Sequence, residues 1–581
     1  MLPALVRAQQ YYVRGEVKDE AGNPLPNVTI LQHSTGYLFR SGMEGTFGLN
    51  SRKKIDTLTF SLKDYFVQKV VADATANLSV ILKKDNRSAR TSSYKLSSLT
   101  QDLARNFQQQ WFNGDETYAS IVENQFIEAA GNPSTMVTLN VDRAAYSNIR
   151  RFLNTQSPVP PDAVRIEEML NYFNLNYTEP AGGKAFEITS TLTHCPWNAL
   201  NELLLVNIRS RKIALDSLPP THLVFLIDVS GSMDMPNRLP LLKAGFRGLV
   251  NNLRDKDSVS IVVYGGSVEV VLPATGGAEK EKIFTAINGI LPGGFTPGES
   301  GIKMAYKLAR EHFIRGGNNR VILATDGDFN VGLQKETELE ALIKEQSRTG
   351  VYLTCLGVGM GNYKDSKIQA LAQKGNGNFA YLDSYAEAEK VLMKEFLQTF
   401  YTVAEDAYLN VQFNPASVRK YRLIGFDNKM GAIKDTLSVV EGGVIGSAYS
   451  MLLAFEIEPA AATPGAAAPK QPVLYALKYR LPGQSKVWEE KVQPSLGVVP
   501  LEQLAPSYRF ATALIQFGLQ LRESRMVSGL NWNAIEDWAE RTVNPSEPLQ
   551  KEFLSLVQQA KAIYTKKKKK KDWPLGIGNK Q

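Results

Sequence analysis

The sequence is poor in the residues that build disulfide frameworks and soft-metal sites. Among its 581 residues there are only two cysteines, Cys195 and Cys355, and four histidines. Two cysteines cannot form a disulfide framework for a chain of this length, and Cys355 lies in an apolar run that is typical of a buried free thiol. No histidine belongs to an H-E-x-x-H pattern, so the sequence gives no sign of a zinc hydrolase.

Long apolar runs and the common catalytic motifs are missing as well. The sequence has no stretch of about 18 apolar residues, so no transmembrane helix is predicted. It contains neither a Walker A loop nor a G-x-S-x-G nucleophile elbow. Because no histidine is placed to act as a base beside a serine nucleophile, we predict that the protein is not an enzyme.

Positive charge is concentrated at one place in the sequence. The net charge is +8, and six lysines form one run from Lys566 to Lys571. The rest of the chain is therefore close to neutral, which argues against a nucleic-acid partner. We predict that residues 566–581 form a solvated, lysine-rich tail; peripheral attachment of the lysines to a membrane or another envelope component is the alternative.

Residues 11–84 have the pattern of a small β-sandwich. Short stretches of strand composition, such as residues 13–18 and 56–61, alternate with turns rich in Gly, Asn and Pro. The run from Gly15 to Val28 has the pattern G-x-V-x-D-x-x-G-x-P-L-P-x-V, and a G-x-F turn follows at Gly45. This pattern resembles the carboxypeptidase-regulatory-like domain. The resemblance implies a spacer or docking module without peptidase chemistry.

Residues 219–403, the central domain, alternate between apolar strands and amphipathic helices. Apolar runs at residues 223–228, 258–264, 320–326 and 351–359 are typical of parallel strands that are covered on both faces. Helical spacing of apolar side chains separates these runs, for example from Leu239 to Leu253. We therefore predict a doubly wound, mostly parallel sheet within a multidomain α/β protein.

Two segments flank the central domain. Residues 116–215 include a helical stretch near residues 164–173, residues 404–565 have the pattern of strands followed by helices, and residues 85–115 have the composition of a linker. We interpret Arg165, Glu167 and Glu168 as a structural salt-bridge face. A catalytic pair of carboxylates is the less favoured interpretation, because adjacent residues do not share one face of a helix.

Two carboxylates and three hydroxyls are predicted to meet at one edge of the central sheet. Asp228, Ser230 and Ser232 form a D-x-S-x-S motif after the first apolar run, Asp326 ends another run, and Thr296 lies in a glycine-rich loop between them. Ligands of such sheets bind beyond the carboxyl ends of the strands, and an all-oxygen set suits hard cations such as Mg²⁺. Each motif alone has a plainer explanation, since Asp and Ser also cap helices. The combination indicates a metal site.

This combination resembles the metal-ion-dependent adhesion site of von Willebrand factor A and integrin I domains. The flanking segments are similar to the companion regions of one bacterial subfamily of A-domain proteins. The resemblance implies that Ser230 and Ser232 coordinate Mg²⁺, with Mn²⁺ or Ca²⁺ as alternatives, and that Asp228 and Asp326 hold the metal partly through water. Thr296 would act in either way. One further position is then open to an Asp or Glu carboxylate of a partner protein.

The predicted function is metal-dependent protein–protein binding, as an adhesion or assembly module of the cell envelope. Two alternatives stay open: a structural scaffold whose metal site is vestigial or is closed by Glu299, and an accessory protein to a chaperone ATPase. Residues 1–10 have the pattern of the end of a truncated signal peptide. We therefore expect an exported protein, either periplasmic or associated with the outer envelope.

Overall fold

The structure, a computed structural model, describes most of residues 11–571. The gaps within this range are residues 35–37, 43, 52, 63–64, 85–115, 117, 140–141, 176, 215–216, 295–297, 328–335, 361–362, 428–442 and 462–470. The predicted linker and Thr296 therefore lie outside the described residues, as do residues 1–10. The chain divides into two compact units, Met1–Lys95 and Leu96–Gln581.

The smaller unit is a β-sandwich, as the sequence predicts. Its strands are β1 (Tyr11–Asp19), β2 (Thr29–Gln32), β3 (Leu38–Arg40), β4 (Thr46–Ser51), β5 (Ile55–Ser61), β6 (Gln68–Asp73) and β7 (Leu78–Leu82). One sheet has the order β4-β1-β7 and the other the order β3-β2-β5-β6. Alternate side chains of both sheets, among them Val13, Ile30 and Phe60, are buried in the core between them.

The larger unit contains both strands and helices. Its strands are β8 (Ile127–Glu128), β9 (Ser134–Thr138), β10 (Phe186–His194), β11 (Glu202–Ser210), β12 (Thr221–Asp228), β13 (Ser258–Gly265), β14 (Ser267–Gly276), β15 (Asn318–Thr325), β16 (Val351–Val358), β17 (Phe379–Leu382), β18 (Thr402–Phe413), β19 (Val418–Ile424), β20 (Gly443–Gly446), β21 (Ser450–Pro459), β22 (Val473–Arg480), β23 (Val487–Val492) and β24 (Val498–Val499). Its α-helices are α1 (Ala144–Asn154), α2 (Ile166–Asn171), α3 (Leu239–Asn251), α4 (Lys280–Gly289), α5 (Gly298–Glu311), α6 (Glu336–Ser347), α7 (Asp365–Lys374), α8 (Tyr385–Glu389), α9 (Phe396–Phe400), α10 (Pro506–Leu521), α11 (Trp532–Thr542) and α12 (Pro548–Lys571).

The central domain is a doubly wound sheet of order β14-β13-β12-β15-β16-β17. Its strands are parallel except β14, which pairs with β13 in the antiparallel direction. Helices α3 and α4 cover one face of the sheet, and α5, α6 and α7 cover the other. The predicted fold is confirmed. The antiparallel edge strand β14 is an addition, and its polar, half-exposed sequence did not resemble the buried strands.

The chain enters and leaves this sheet at the amino ends of its strands. The hydroxyl oxygens of Thr221, at the start of β12, and Tyr401, just before β18, are 2.8 Å apart. Asn318, at the start of β15, donates from Nδ2 to the carbonyl of Phe400 at 2.9 Å. The carboxyl ends of the strands, where ligands of such sheets bind, therefore lie at the opposite edge.

The two flanking segments fold together. Strands from both segments alternate in a six-stranded sheet of order β24-β10-β11-β21-β19-β8. A second sheet has the order β20-β18-β22-β23, and β9 from the first segment also pairs with β18. The sequence suggested two regions, residues 116–215 and 404–565. Because β11 and β21 are neighbouring strands, the two regions form one shared β-sandwich with a common core.

A layer of helices covers the outer face of the six-stranded sheet. Helices α1 and α2 pack there with α10, α11 and α12 around a core that includes Leu205, Phe510 and Phe553. The backbone of α12 continues to Lys571. The lysine run is thus helical, where the sequence predicted the start of a tail.

Buried ion pairs join α1 and α2 to the central domain. The guanidinium of Arg150 in α1 lies 2.6 Å from an oxygen of Asp383 and 2.7 Å from an oxygen of Glu387. Arg165, at the start of α2, pairs with Asp365 of α7 at 2.6 Å. In each of these pairs the arginine comes from the flanking segment and the carboxylate from the central domain.

Two of the three residues of the predicted salt-bridge face near α2, Arg165 and Glu168, are buried, whereas Glu167 is half-buried. Arg165 also pairs with Glu168, whose Oε2 accepts a hydrogen bond at 2.9 Å from the backbone N–H of Ala145 near the start of α1. Burial raises the pKa of Glu168 to about 8, and the charge of Arg165 opposes this rise. The group therefore has a structural role, because it holds α1, α2 and the central domain together.

Both cysteines are free and buried. Burial raises the pKa of each thiol, so neither has the character of a reactive thiolate. None of the helices in the described part of the chain combines the length and the apolarity needed to span a bilayer.

We predict that Arg150→Ala lowers the free energy of unfolding of the larger unit by about 3–5 kcal/mol, because Asp383 and Glu387 stay buried without their cation. The urea midpoint of the full-length protein, followed by circular dichroism, measures this loss. Arg419→Ala is the matched control, since Arg419 pairs with Glu458 but is 55% exposed and should cost less than about 1 kcal/mol. Equal losses in the two variants would contradict the structural role of the buried pairs.

Candidate metal centre

Two neighbouring parallel strands end side by side at the carboxyl edge of the central sheet. Ile227 of β12 and Ala324 of β15 are partners in register. Asp228 is the last residue of β12, and Asp326 follows the last residue of β15, so both side chains reach the same edge. Both residues are buried.

Hydrogen bonds link four of the five predicted metal-binding residues. The backbone N–H of Ser230 donates to Oδ1 of Asp228 at 2.9 Å, and the hydroxyls of Ser230 and Ser232 are 3.1 Å apart. Ser232 donates from Oγ to Oδ2 of Asp326 at 2.7 Å. Thr325, which the sequence did not single out, donates from Oγ1 to Oδ2 of Asp228 at 3.1 Å. Hydrogen bonds thus connect the four residues, Asp228 through the backbone N–H of Ser230 and the other three through side-chain oxygen atoms.

The loop that contains Thr296 approaches this group through its described residues. The backbone N–H of Gly231 donates to the carbonyl of Gly294 at 3.3 Å, and that of Gly293 donates to the carbonyl of Val229 at 2.6 Å. The approach requires glycine at position 294, where φ is +90° and a Cβ would lie 2.5 Å from the carbonyl oxygen of Gly265. Thr296 itself lies outside the described residues, so its predicted role stays a prediction.

The electrostatic environment of Asp228 favours a nearby cation. Burial raises the pKa of Asp228 to about 6; hydrogen bonds from Ser230 and Thr325 oppose the rise, and the charge of Asp326 adds to it. Tyr264 of β13 is also buried beside this carboxylate, and burial followed by the charge of Asp228 raises the pKa of its phenol. A positive charge at this edge would therefore stabilise the ionised form of Asp228.

Arg238 is a member of the site that the sequence analysis missed. Its guanidinium donates to Oδ2 of Asp326 at 2.8 Å and to the carbonyl of Ser232 at 2.6 Å. The same guanidinium donates to the carbonyl of Met360 at 3.0 Å. No motif could have indicated this residue, because a single arginine in a loop carries no pattern and its contacts come from distant parts of the chain.

Glu299, the candidate for closing the site, makes a contact on its own helix. Its carboxylate pairs with Nζ of Lys303, one turn further along α5, at 2.5 Å. This i,i+4 pair is typical of an exposed helix face. The contact does not favour a role for Glu299 as an internal ligand.

The donor set fits a hard divalent cation. Carboxylate and hydroxyl oxygens are the only side-chain donors that the four described residues provide, and such oxygens suit Mg²⁺, Mn²⁺ and Ca²⁺ rather than soft metals. Within the described residues, no group of three or more His, Cys, Asp and Glu residues is arranged so that it could hold a metal ion by itself. A cation at this edge would therefore depend on the hydroxyls of Ser230 and Ser232 as well as on the two carboxylates.

Family models match nearly all of the larger unit. The model described as von Willebrand factor matches residues 112–205, and that of the von Willebrand factor type A domain matches residues 222–394. The model described as the C-terminal part of the uncharacterized protein YfbK matches residues 398–563. The three matched ranges fall mostly in the first flanking segment, the central domain and the second flanking segment, in that order.

The chain is also similar to individual proteins. Uncharacterized protein YfbK of Escherichia coli is 35% identical over 474 residues, which are 78% of this chain and 82% of YfbK. A magnesium-chelatase 67 kDa subunit of Chlorobaculum parvum is 24% identical over 243 residues, or 37% of this chain and 39% of that protein. A solved structure, the von Willebrand factor type A protein from Catenulispora acidiphila, has 15% identity, a TM-score of 0.39 and coverage of 63% of this chain and 88% of that chain. The chain belongs to the family of bacterial von Willebrand factor type A domain proteins that includes YfbK.

Proposed function

We propose that this protein binds a partner protein through a divalent cation, Mg²⁺ in the first instance, held at the carboxyl edge of its A domain. The observation that carries the proposal is the hydrogen-bonded group that Asp228, Ser230, Ser232 and Asp326 form at this edge. Proteins with A domains generally bind other proteins. The magnesium-chelatase subunits among the relatives make Mg²⁺ the first cation to test.

The role that we propose for each residue follows from the chemistry of its side chain. The hydroxyls of Ser230 and Ser232 would bind the cation directly, and Asp228 and Asp326 would supply negative charge, partly through water, with Thr296 as a further ligand. When bound, the cation would supply a Lewis-acidic position for a carboxylate of the partner. The hydroxyls of Ser230 and Ser232 hydrogen-bond to each other and to Asp326 rather than to a histidine base, so we propose binding without catalysis.

Three exposed apolar side chains belong to loops that contact the proposed site. Met235 follows the D-x-S-x-S motif and is 53% exposed, Leu291 precedes the Gly293 loop and is 76% exposed, and Met360 is 43% exposed. These three residues lie in three loops at the carboxyl edge of the sheet. A partner surface with an acidic residue among apolar neighbours would match this combination, because apolar contacts supply affinity while the charged centre supplies specificity.

We predict that the full-length protein binds Mg²⁺ and Mn²⁺ in calorimetry, and that Asp228→Ala combined with Ser230→Ala weakens binding by more than about 10-fold, since both changes remove oxygen donors or charge from the site. Asp234→Ala is the control, because Asp234 is an exposed carboxylate only two residues beyond the motif. Its affinity for the cation should match that of the wild type.

Absence of binding in the wild type would reject the metal-dependent function. It would favour the alternative of a scaffold whose site is vestigial or closed. Equal weakening by Asp234→Ala would instead mean that general negative charge attracts the cation.

The open coordination position gives a second prediction. In the Mn²⁺-loaded protein, acetate should displace a metal-bound water and lower the water-proton relaxation rate, whereas acetamide, which has a similar shape and no charge, should not. This measurement tests for a position that accepts a carboxylate. An identical response to both compounds would contradict it.

We further propose that the protein acts at the cell envelope. The support is the signal-peptide-like sequence of residues 1–10 together with a domain type suited to adhesion or assembly. Fractionation of the native cells is expected to place the protein in the periplasmic or envelope fraction. Recovery with a cytoplasmic marker would reject export and would favour the alternative of an accessory protein to an intracellular ATPase.

A further inference from the structure

The guanidinium of Arg238 lies in a site lined by hydrogen-bond acceptors. Three oxygen acceptors surround the group: the carboxylate of Asp326 and the carbonyls of Ser232 and Met360. The side chain is only 12% exposed. Two of the three acceptors are backbone atoms, so part of the binding of the guanidinium is independent of the charge of Asp326.

The backbone at Gly359 also accommodates Arg238. Gly359 has a φ of +81°, and a Cβ at this position would lie 2.4 Å from Nε of Arg238. Its carbonyl accepts a hydrogen bond from the hydroxyl of Tyr381, which fixes the peptide against β17. A glycine in a left-handed conformation therefore leaves the space that the arginine side chain fills.

Arg238 and the motif use the same carboxylate oxygen. Oδ2 of Asp326 accepts hydrogen bonds from both the Ser232 hydroxyl and the Arg238 guanidinium. Because an arginine side chain is always charged, the proposed cation would have to share Asp326 with a fixed positive charge. Like charges at such short range disfavour each other most strongly in a buried environment.

We propose that Arg238 sets the affinity of the A-domain site by competing with the divalent cation for Asp326. This inference rests on the proposed metal binding. The positively charged side chain of Arg238 is part of the protein itself, and it weakens the binding of a divalent cation from solution. Arg238 is thus an affinity-determining residue rather than a ligand.

The test compares charge-removing and charge-keeping variants in calorimetry with MgCl₂ on the full-length protein, at fixed pH and ionic strength. Arg238→Gln and Arg238→Met are expected to bind Mg²⁺ at least roughly 10-fold more tightly than the wild type, because the competing charge is gone. Arg238→Lys keeps the charge and should bind Mg²⁺ more weakly than either neutral variant. A purely structural role for Arg238 would not produce tighter binding or this dependence on charge.

Arg247→Gln is the matched control for the loss of one positive charge. Arg247 lies on the exposed face of α3 and donates to Oδ1 of Asn288 at 3.0 Å. Its substitution should leave the affinity for Mg²⁺ unchanged. Thermal unfolding confirms that each variant is folded, and Arg238→Met, which keeps most of the apolar stem, replaces Arg238→Gln if the latter does not fold.

The outcomes separate this inference from the proposed function. If the wild type binds Mg²⁺ and neither neutral variant binds more tightly, or if Arg247→Gln has the same effect, competition by Arg238 is rejected while the metal site stands. If no variant binds Mg²⁺, the metal-dependent function itself is rejected.

Discussion

The pairing of β11 with β21 is the constraint on which the rest of the larger unit depends. These strands lie in the segments before and after the A domain, and they are antiparallel partners from Glu202 with Ile457 to Arg209 with Ser450. The entropy of closing a loop grows only slowly with its length, so a long insertion is tolerable when it folds on its own core. Inside the shared sheet, a hydrogen bond of 2.8 Å between Asn207 and Ser450 supports the pairing.

This pairing also decides where the A domain can offer a binding surface. Its two ends meet at the amino edge of the sheet, where Thr221 and Tyr401 are in contact. The flanking arginines hold the side of the domain formed by β17, α7 and α8 through buried ion pairs. The carboxyl ends of β12 and β15, with Asp228 and Asp326, remain in the middle of the opposite edge. The chain connections thus lie at the amino edge of the sheet, and the flanking arginines contact residues that follow β16 and β17, beside the free carboxyl ends of β12 and β15.

Much of the fold and most of the site could be predicted from the sequence, because both depend on local patterns. Apolar runs identified β12, β13, β15 and β16, and strand ends followed by Asp and Ser identified the candidate site. Two features could not be predicted. The flanking segments share sheets because strands from the two segments, such as β9 and β18, are neighbours. The sequence of a short strand does not specify its partner strand. Arg238 reaches Asp326 from a loop, so its contact exists only in three dimensions.

In the buried ion pairs, one segment supplies the cations and the other the anions. This distribution has a consequence for an A domain that is cut out of the chain. Asp365, Asp383 and Glu387 belong to the domain, whereas Arg150 and Arg165, which neutralise them, belong to the segment before it. Cutting the chain at the borders of the A domain would therefore separate the arginines from their carboxylates. The carboxylates would then be exposed to water at the positions where the arginines pack in the intact protein. The excised domain would be more acidic on this face and would repel anionic surfaces that the intact protein could approach. In this protein, the borders of the A domain in the sequence therefore separate charged residues that neutralise each other in the fold.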